Sequence, residues 1–286
     1  MSIKIMLERE PQFIKSTLES KKNDSETLEK QKEQKKDRIQ ELRDDMKKIW
    51  EELRREGVPI DERARINMDE FRSIHGKESI EHDKERVKYL KRVFKEADRS
   101  KDSFAWAQSK EEQSRKVSMG EAFEMLAASI FHKKLGKDFI VVRTSEYDDF
   151  ENNVDSIILE RETGNIVCAF DEVEFGNKLT RQDKKDKVAD RNERKGGADL
   201  KYGIFLEKED GAMKLKKGRI NQIPLFYLAA SELEVINVLN NPDQRERVFY
   251  ELVDSIKEQI KDLKEKSLNQ KLRERLDHFA KVIEKF

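Results

Sequence analysis

The chain has 286 residues, 42% of them charged and 36% hydrophobic, a balance too polar for one globule of that length and one that requires long solvated helices. Lys plus Arg and Asp plus Glu number 60 each, so overall charge argues for neither a nucleic-acid nor a membrane partner, and any basic surface has to be local. The single Cys168 excludes an intrachain disulfide framework and a multi-cysteine zinc site, and no apolar run approaches the ~18–20 residues of a membrane span. Acids and Pro11 interrupt the first segment, MSIKIMLEREPQF, where a secretory signal keeps an apolar core, so a cytoplasmic location is expected.

From residue 25 to 56 there are almost no helix breakers, and Ile39, Leu42, Met46, Ile49 and Leu53 recur at alternating spacings of three and four, which predicts one apolar seam on a long helix. Gly57 and Pro59 stop it. A second helix is expected from about Ile80 to Ala97, with Val87, Leu90, Val93 and Phe94 on one face, before Phe104 and Trp106 change the pattern. Residues 118–135 read as a helix whose inward stripe is Phe123, Leu126, Ala127, Ile130, Phe131 and Leu135, closed by Gly136.

Strand-like runs follow at 139–144 (FIVVRT), 154–160 (VDSIILE), 165–175 (NIVCAFDEVEF), 200–207 (LKYGIFLE) and 224–229 (PLFYLA). The second and third join through Thr163-Gly164-Asn165, a turn suited to a hairpin. A polar helix from about Thr180 to Arg194 precedes the fourth strand, with Gly196-Gly197 as its break. After Pro242 the chain is again helical, with Leu252, Ile256, Ile260 and Leu263 and then Leu272, Leu276, Phe279 and Ile283. These seams either pack within the chain or pair two chains as a coiled coil. The organisation predicted is a helical, coiled-coil-like arm over 1–115, an α/β domain over 116–240 and a C-terminal helix over 241–286.

Carboxylates are common here, so only those set into apolar strands are informative. Asp155 starts one such strand and Glu172 ends the apolar run of the next, where a hairpin brings both acids to one edge. Two carboxylates so placed form a hard oxygen site for Mg²⁺ or Mn²⁺, the ions that promote phosphodiester hydrolysis. Asp171 alternates to the opposite strand face and reads as a supporting acid.

The segment MGEAFE, with Glu124 and, one turn away, Glu121, followed by NNVDSIILERETGNIVCAFDEVE, resembles the PD-(D/E)XK nuclease superfamily over about 110 residues. The resemblance implies a restriction-endonuclease-like mixed sheet flanked by helices and a DNA substrate. It also implies a metal held by Asp155 and Glu172 with Glu124 and Glu121 assisting. Glu174 stands where that family has a lysine that orients the attacking water. Lys184 and Lys187, three apart on the following helix, are the candidates to replace it, with Lys178 and Lys201 behind them.

Nine basic residues against five acidic ones between Lys178 and Lys201, and four more basics in GAMKLKKGR (211–219), suggest a phosphate-binding track. Tyr147, Tyr202 and Tyr227 either stack on bases or pack. His75, His82, His132 and His278 have no paired-ligand spacing, and no phosphate-cradling glycine loop is present. The expectation is a Mg²⁺-dependent deoxyribonuclease, with a possible homodimer formed through the arms. The alternatives are a nuclease-fold module without catalysis, for nucleic-acid binding or assembly, and a helical adaptor whose α/β domain only docks.

Overall fold

The computed structural model describes residues 37–101, 118–174 and 178–286. The first part of the expected arm and the stretch around Phe104 and Trp106 lie outside them. The chain divides into Met1–Glu41, of which residues 37–41 are helical, and Leu42–Phe286. The rest of this description concerns the second unit.

Residues 42–55 form helix α1, with Leu42, Met46, Ile49 and Leu53 buried at the predicted spacing. It ends at Gly57, whose φ of +85° is open to glycine at little cost, and Val58 N–H closes back on Leu53 O at 3.0 Å. A loop with an Ile60–Ile66 bridge leads through a short turn into α2 (Arg72–His75) and α3 (Lys77–Lys101). On α3, Ile80 and Val87 are buried, whereas Val93 and Phe94 are 39% and 50% exposed, so the expected apolar face is covered only along its first half.

Helix α4 (Met119–Leu135) starts at Ser118, whose Oγ accepts Glu121 N–H at 3.0 Å, and buries the whole predicted stripe. Strands β1 (Phe139–Arg143), β2 (Ser156–Glu160) and β3 (Ile166–Glu174) run antiparallel in sequence, and β6 (Leu225–Ala230) adds parallel to β3, giving the order β1-β2-β3-β6. Every residue of β1 and β2 is buried, which is why their sequences are apolar runs rather than alternating ones. Helix α6 (Lys178–Arg194) precedes a two-stranded antiparallel ribbon of β4 (Ala198–Glu209) and β5 (Ala212–Ile223).

After β6 come α7 (Glu232–Asn240), α8 (Arg245–Lys264) and α9 (Gln270–Ile283). The seams of α8 and α9 are not a projecting coiled coil. Leu252, Ile256, Ile260, Leu276, Phe279 and Ile283 enter one hydrophobic core that runs from Leu42 to Ile283. An aromatic chain crosses that core: Phe249 meets Phe131 (ring centroids 5.6 Å), Phe131 meets Phe170 (5.3 Å), Phe170 meets Phe226 (6.4 Å) and Phe226 meets Phe279 (5.3 Å). The fold is therefore mixed α/β, with residues from Leu42 to Ile80 and the helices after residue 240 both contributing to the core that holds the sheet.

Two elements differ from the expected order. Helix α5 (Glu146–Asn152) stands between β1 and β2, and β5 occupies the stretch expected to be a basic track. The lysines there are already paired: Lys214 with Glu209 and Asp210, Lys216 with Glu209, and Lys217 with Glu70. Among the described residues no helix is long and apolar enough to cross a membrane.

The β2–β3 turn depends on Gly164. Its φ is +74°, Leu206 N–H donates to its carbonyl at 2.9 Å, and a Cβ placed there would lie 2.0 Å from the Leu206 carbonyl oxygen. Gly164→Ala is expected to cost at least ~2 kcal/mol in urea denaturation through backbone strain and displacement of the ribbon. Gly211→Ala, at φ +84° with open space around it, is expected to cost only about 1 kcal/mol. Equal losses would contradict this packing of turn against ribbon.

Candidate metal centre

Asp155 is fixed by backbone pairing on both sides, since its N–H donates to Phe170 O and its carbonyl accepts Thr144 N–H, both at 2.8 Å. Asn153, in the left-handed conformation at the C-cap of α5, turns the chain into this position. One Asp155 carboxylate oxygen accepts the Glu172 backbone N–H at 2.6 Å. The side chain thus lies against the backbone of β3 at the end of the sheet. Extending the Ser156–Phe170 register by one residue sets Asp155 opposite Asp171.

Four more carboxylates gather there. Asp149 on α5, Asp171 and Glu172 on β3 and Glu124 on α4 all act electrostatically on the Asp155 carboxyl. Glu172 accepts Ser156 Oγ–H at 2.5 Å through Oε1, while its buried Oε2 has no protein partner. Helix α5 is held in place by Asp148, which is completely buried and accepts from Ser145 Oγ (2.8 Å), Asn152 Nδ2 (2.8 Å) and the backbone N–H groups of Lys201 (2.8 Å) and Tyr202 (3.0 Å).

Three cations face the five acids. Arg65 donates to Glu124 at 2.8 Å and to Asp149 at 2.7 Å, Arg143 donates to Glu124, and Lys184 pairs with Asp171. Counted over these paired groups alone, with all ionised, two negative charges remain, and Arg191 adds its field to Asp171 from outside the pairs. Burial is the main reason that Asp155 is held well above the usual carboxylate range, with Glu172, Asp149, Glu124 and Asp171 pushing the same way. Burial pushes Glu172 up to about 8 against the opposing hydrogen bond from Ser156. Asp149 and Asp171 are also raised by burial, opposed by Arg65 and by Lys184 respectively. Burial works against the charge on Arg65, yet Asp149 and Glu124 raise its pKa; Arg143 is lowered by burial and by Arg65.

The donor set fits a divalent cation. Glu124, Asp149 and Asp155 each offer a carboxylate oxygen, all within 4.8 Å of one another; Glu172, expected as a ligand, is not one of this trio, although its backbone N–H lies on Asp155 and its buried Oε2 has no protein partner. Of the residues expected from sequence, Asp155, Glu172, Glu124 and Lys184 are brought together. Glu121 lies apart, 3.8 Å from Arg63 in an exposed pair. Helix α6 turns Lys184, Val188 and Asn192 inward, which leaves Lys187 exposed on the flank.

Lys201 is drawn to Asp83 and lies over the Tyr147 ring, 5.0 Å from its centroid. The side chains of Glu174 and Lys178 lie outside the described part of the structure. Tyr202 packs in the core and donates to Asp83 at 2.5 Å, and Tyr227 is buried, so neither is available for stacking. Asp149, Arg65 and Arg143 were not anticipated, and Asp171 sits closer to Asp155 than strand alternation implied. Comparisons with protein-family models, with curated proteins and with solved structures give no match.

The raised Glu172 pKa sets a sign. Below about pH 4.5 this carboxyl is protonated in both the folded and the unfolded chain, and between there and about 8 only the folded chain keeps the proton. Folding stability from this group is present at acid pH and is lost as pH rises through 8. The metal-free protein is therefore expected to melt at lower temperature near pH 8 than near pH 5.5, and Glu172→Gln to flatten that slope. A melting temperature that rises across this window would contradict the burial of an excess of acids.

Proposed function

We propose that the protein is a divalent-metal-dependent nuclease that hydrolyses phosphodiester bonds in DNA, working in the cytoplasm. The observation that carries this reading is a cluster of five carboxylates, three buried and two half-buried, paired with three cations, in which one buried oxygen lacks a protein partner. Asp155, Asp149 and Glu124 would hold Mg²⁺ or Mn²⁺, with Glu172 Oε2 turned to the same ion or to a water beside it. When bound, the ion supplies the charge neutralisation and Lewis acidity that phosphodiester hydrolysis requires.

The chain's own groups divide the remaining work. Lys184, arriving from α6, pairs with Asp171, the residue opposite Asp155 in register, and its ammonium would orient the attacking water and offset developing charge although β3 carries Glu174. Arg65 and Arg143 fix the rotamer of Glu124, and Arg65 also fixes Asp149. Exclusion of bulk water around Asp155 strengthens each of these contacts.

A second reading, a nuclease-fold module without catalysis, is favoured by one observation. Both guanidiniums already lie on Glu124, so this acid is paired without an ion.

Cleavage of supercoiled plasmid and of labelled single- and double-stranded DNA with Mg²⁺ or Mn²⁺ tests the two. Asp155→Ala and Glu172→Ala are each expected to lower the rate about 10²-fold or more, Lys184→Ala about 10²-fold, and Lys187→Ala by no more than a few-fold. Cleavage that survives Asp155→Ala would defeat the proposal. A folded protein that binds Mn²⁺ without cutting would favour the second reading.

A further inference from the structure

Helix α6 is held to the sheet by little apolar surface. Among its described side chains only Val188 and Asn192 are buried, and Asn192 is completely so. Apolar packing is non-directional, and one valine does not fix a helix along its axis, so the place of α6 depends on directional bonds. Asn192 supplies two of them to a single strand residue. Its carboxamide accepts the Leu225 N–H at 3.0 Å and donates to the Leu225 carbonyl at 2.7 Å, with a further bond to Val188 O at 3.1 Å.

Strand β6 is the outer strand of its sheet, and the backbone groups of Leu225 and Tyr227 face away from β3. Side-chain amides stand there in place of a further strand. Asn192 of α6 takes Leu225, and Gln259 of α8 takes Tyr227, accepting its N–H at 3.0 Å and donating to its carbonyl at 2.9 Å. Both amides lie in a groove of about 310 Å³ between the two helices. The one ion pair that joins α6 to α8 among the described residues, Lys185 with Asp262 at 3.5 Å, is solvent-exposed and of the kind that contributes little.

Leu225 is in register with Ala169 of β3, and Tyr227 with Asp171. Lys184, Val188 and Asn192 occupy positions i, i+4 and i+8 and share one stripe of α6. The helix therefore runs against the direction of β6, with Asn192 on Leu225 and, two turns earlier, the Lys184 ammonium on Asp171. A slip of one residue along α6 moves a side chain by about 1.5 Å and turns it by about 100°, enough to take Lys184 off Asp171. We infer that Asn192 is the positioning residue for Lys184: its bonds to Leu225 set the height of α6 on the sheet and so hold the ammonium at the acid cluster. The work of that ammonium on the attacking water rests on the nuclease reading, whereas the anchor does not.

The test compares Asn192→Ala with Gln259→Ala in the full chain, since each removes one amide from the same strand edge and both are expected to melt several degrees below the wild type. In the metal-free protein, the rate at which an acylating reagent labels Lys184, mapped by mass spectrometry, is expected to rise about tenfold in Asn192→Ala and to stay within twofold in Gln259→Ala, with Lys187 unchanged in both. In DNA cleavage with Mn²⁺, Asn192→Ala is expected to lower kcat about tenfold with KM within twofold, and to lower it no further in the Lys184→Ala background. Gln259→Ala is expected to leave kcat within twofold. Asn192→Ser, which keeps one bond to Leu225, is expected to fall between the wild type and Asn192→Ala, and replaces the latter if it does not fold. Equal effects of the Asn192 and Gln259 substitutions on Lys184 labelling, or no effect of either, would overturn the inference. Labelling as stated in a protein that cuts no DNA would leave the anchor standing and remove the nuclease reading.

Discussion

A cluster of five carboxylates around Asp155, three buried and two half-buried, with three cations paired to it among the described residues, is the constraint on which the rest of the site depends. A carboxylate taken out of water stays charged only if something pairs with it, and otherwise it keeps its proton. The cations come from three separate elements. Arg65 belongs to a loop 59 residues before Glu124, bridged to Arg143 of β1, and Lys184 comes from the helix after β3. Each removes part of the negative charge while locking one acid in place. What they leave over is carried by bound protons, and on the proposed reading a divalent ion would compete with those protons for the same cluster.

Around this cluster the scaffold is fastened by a second kind of buried charge. Asp148 ties α5 to the backbone of β4, and Asp83 ties α3 to β4 through Tyr202 Oη–H at 2.5 Å and Lys201. Each of these acids is held by at least two protein donors and so acts as a fastener. Glu172 differs, with one oxygen satisfied by Ser156 and the other by nothing. That contrast separates the acids that build the fold from the acid left open to a ligand. It also places α3 in fixed register with α5 and its Asp149.

Much of this architecture was legible in the sequence because periodicity reports burial. The alternation of three and four over Leu42, Met46, Ile49 and Leu53, the apolar runs of β1 to β3 and the Gly164 turn each correspond to an element in the expected place. Strand β5 was hidden because it is half-exposed and carries Lys214, Lys216 and Lys217 on a ribbon edge, where the same residues look like a basic track. Helix α5 was hidden because it has seven acid-rich residues and no apolar stripe, although Ser145 as N-cap before Asp148 was a local signal. The exposed second half of the α3 face has the same period as the buried half, and period alone does not distinguish a core from a docking face.

For the site, the strand-end acids Asp155 and Glu172 stood out against apolar neighbours, whereas Asp149 and Arg65 did not stand out among 60 acidic and 60 basic residues. Asp171 does alternate away from Glu172, but Asp155 stands opposite Asp171 in register while its carboxylate takes the backbone N–H of Glu172, a pairing that the strand pattern alone does not reveal. Titration of the metal-free protein with Mn²⁺ by calorimetry at neutral pH, in two buffers of different ionisation enthalpy, tests the central claim most directly. The account predicts one ion bound per chain with release of protons from the cluster, and loss of that binding in Asp155→Asn. A folded protein that takes up no Mn²⁺, or takes it up without releasing protons, would contradict it.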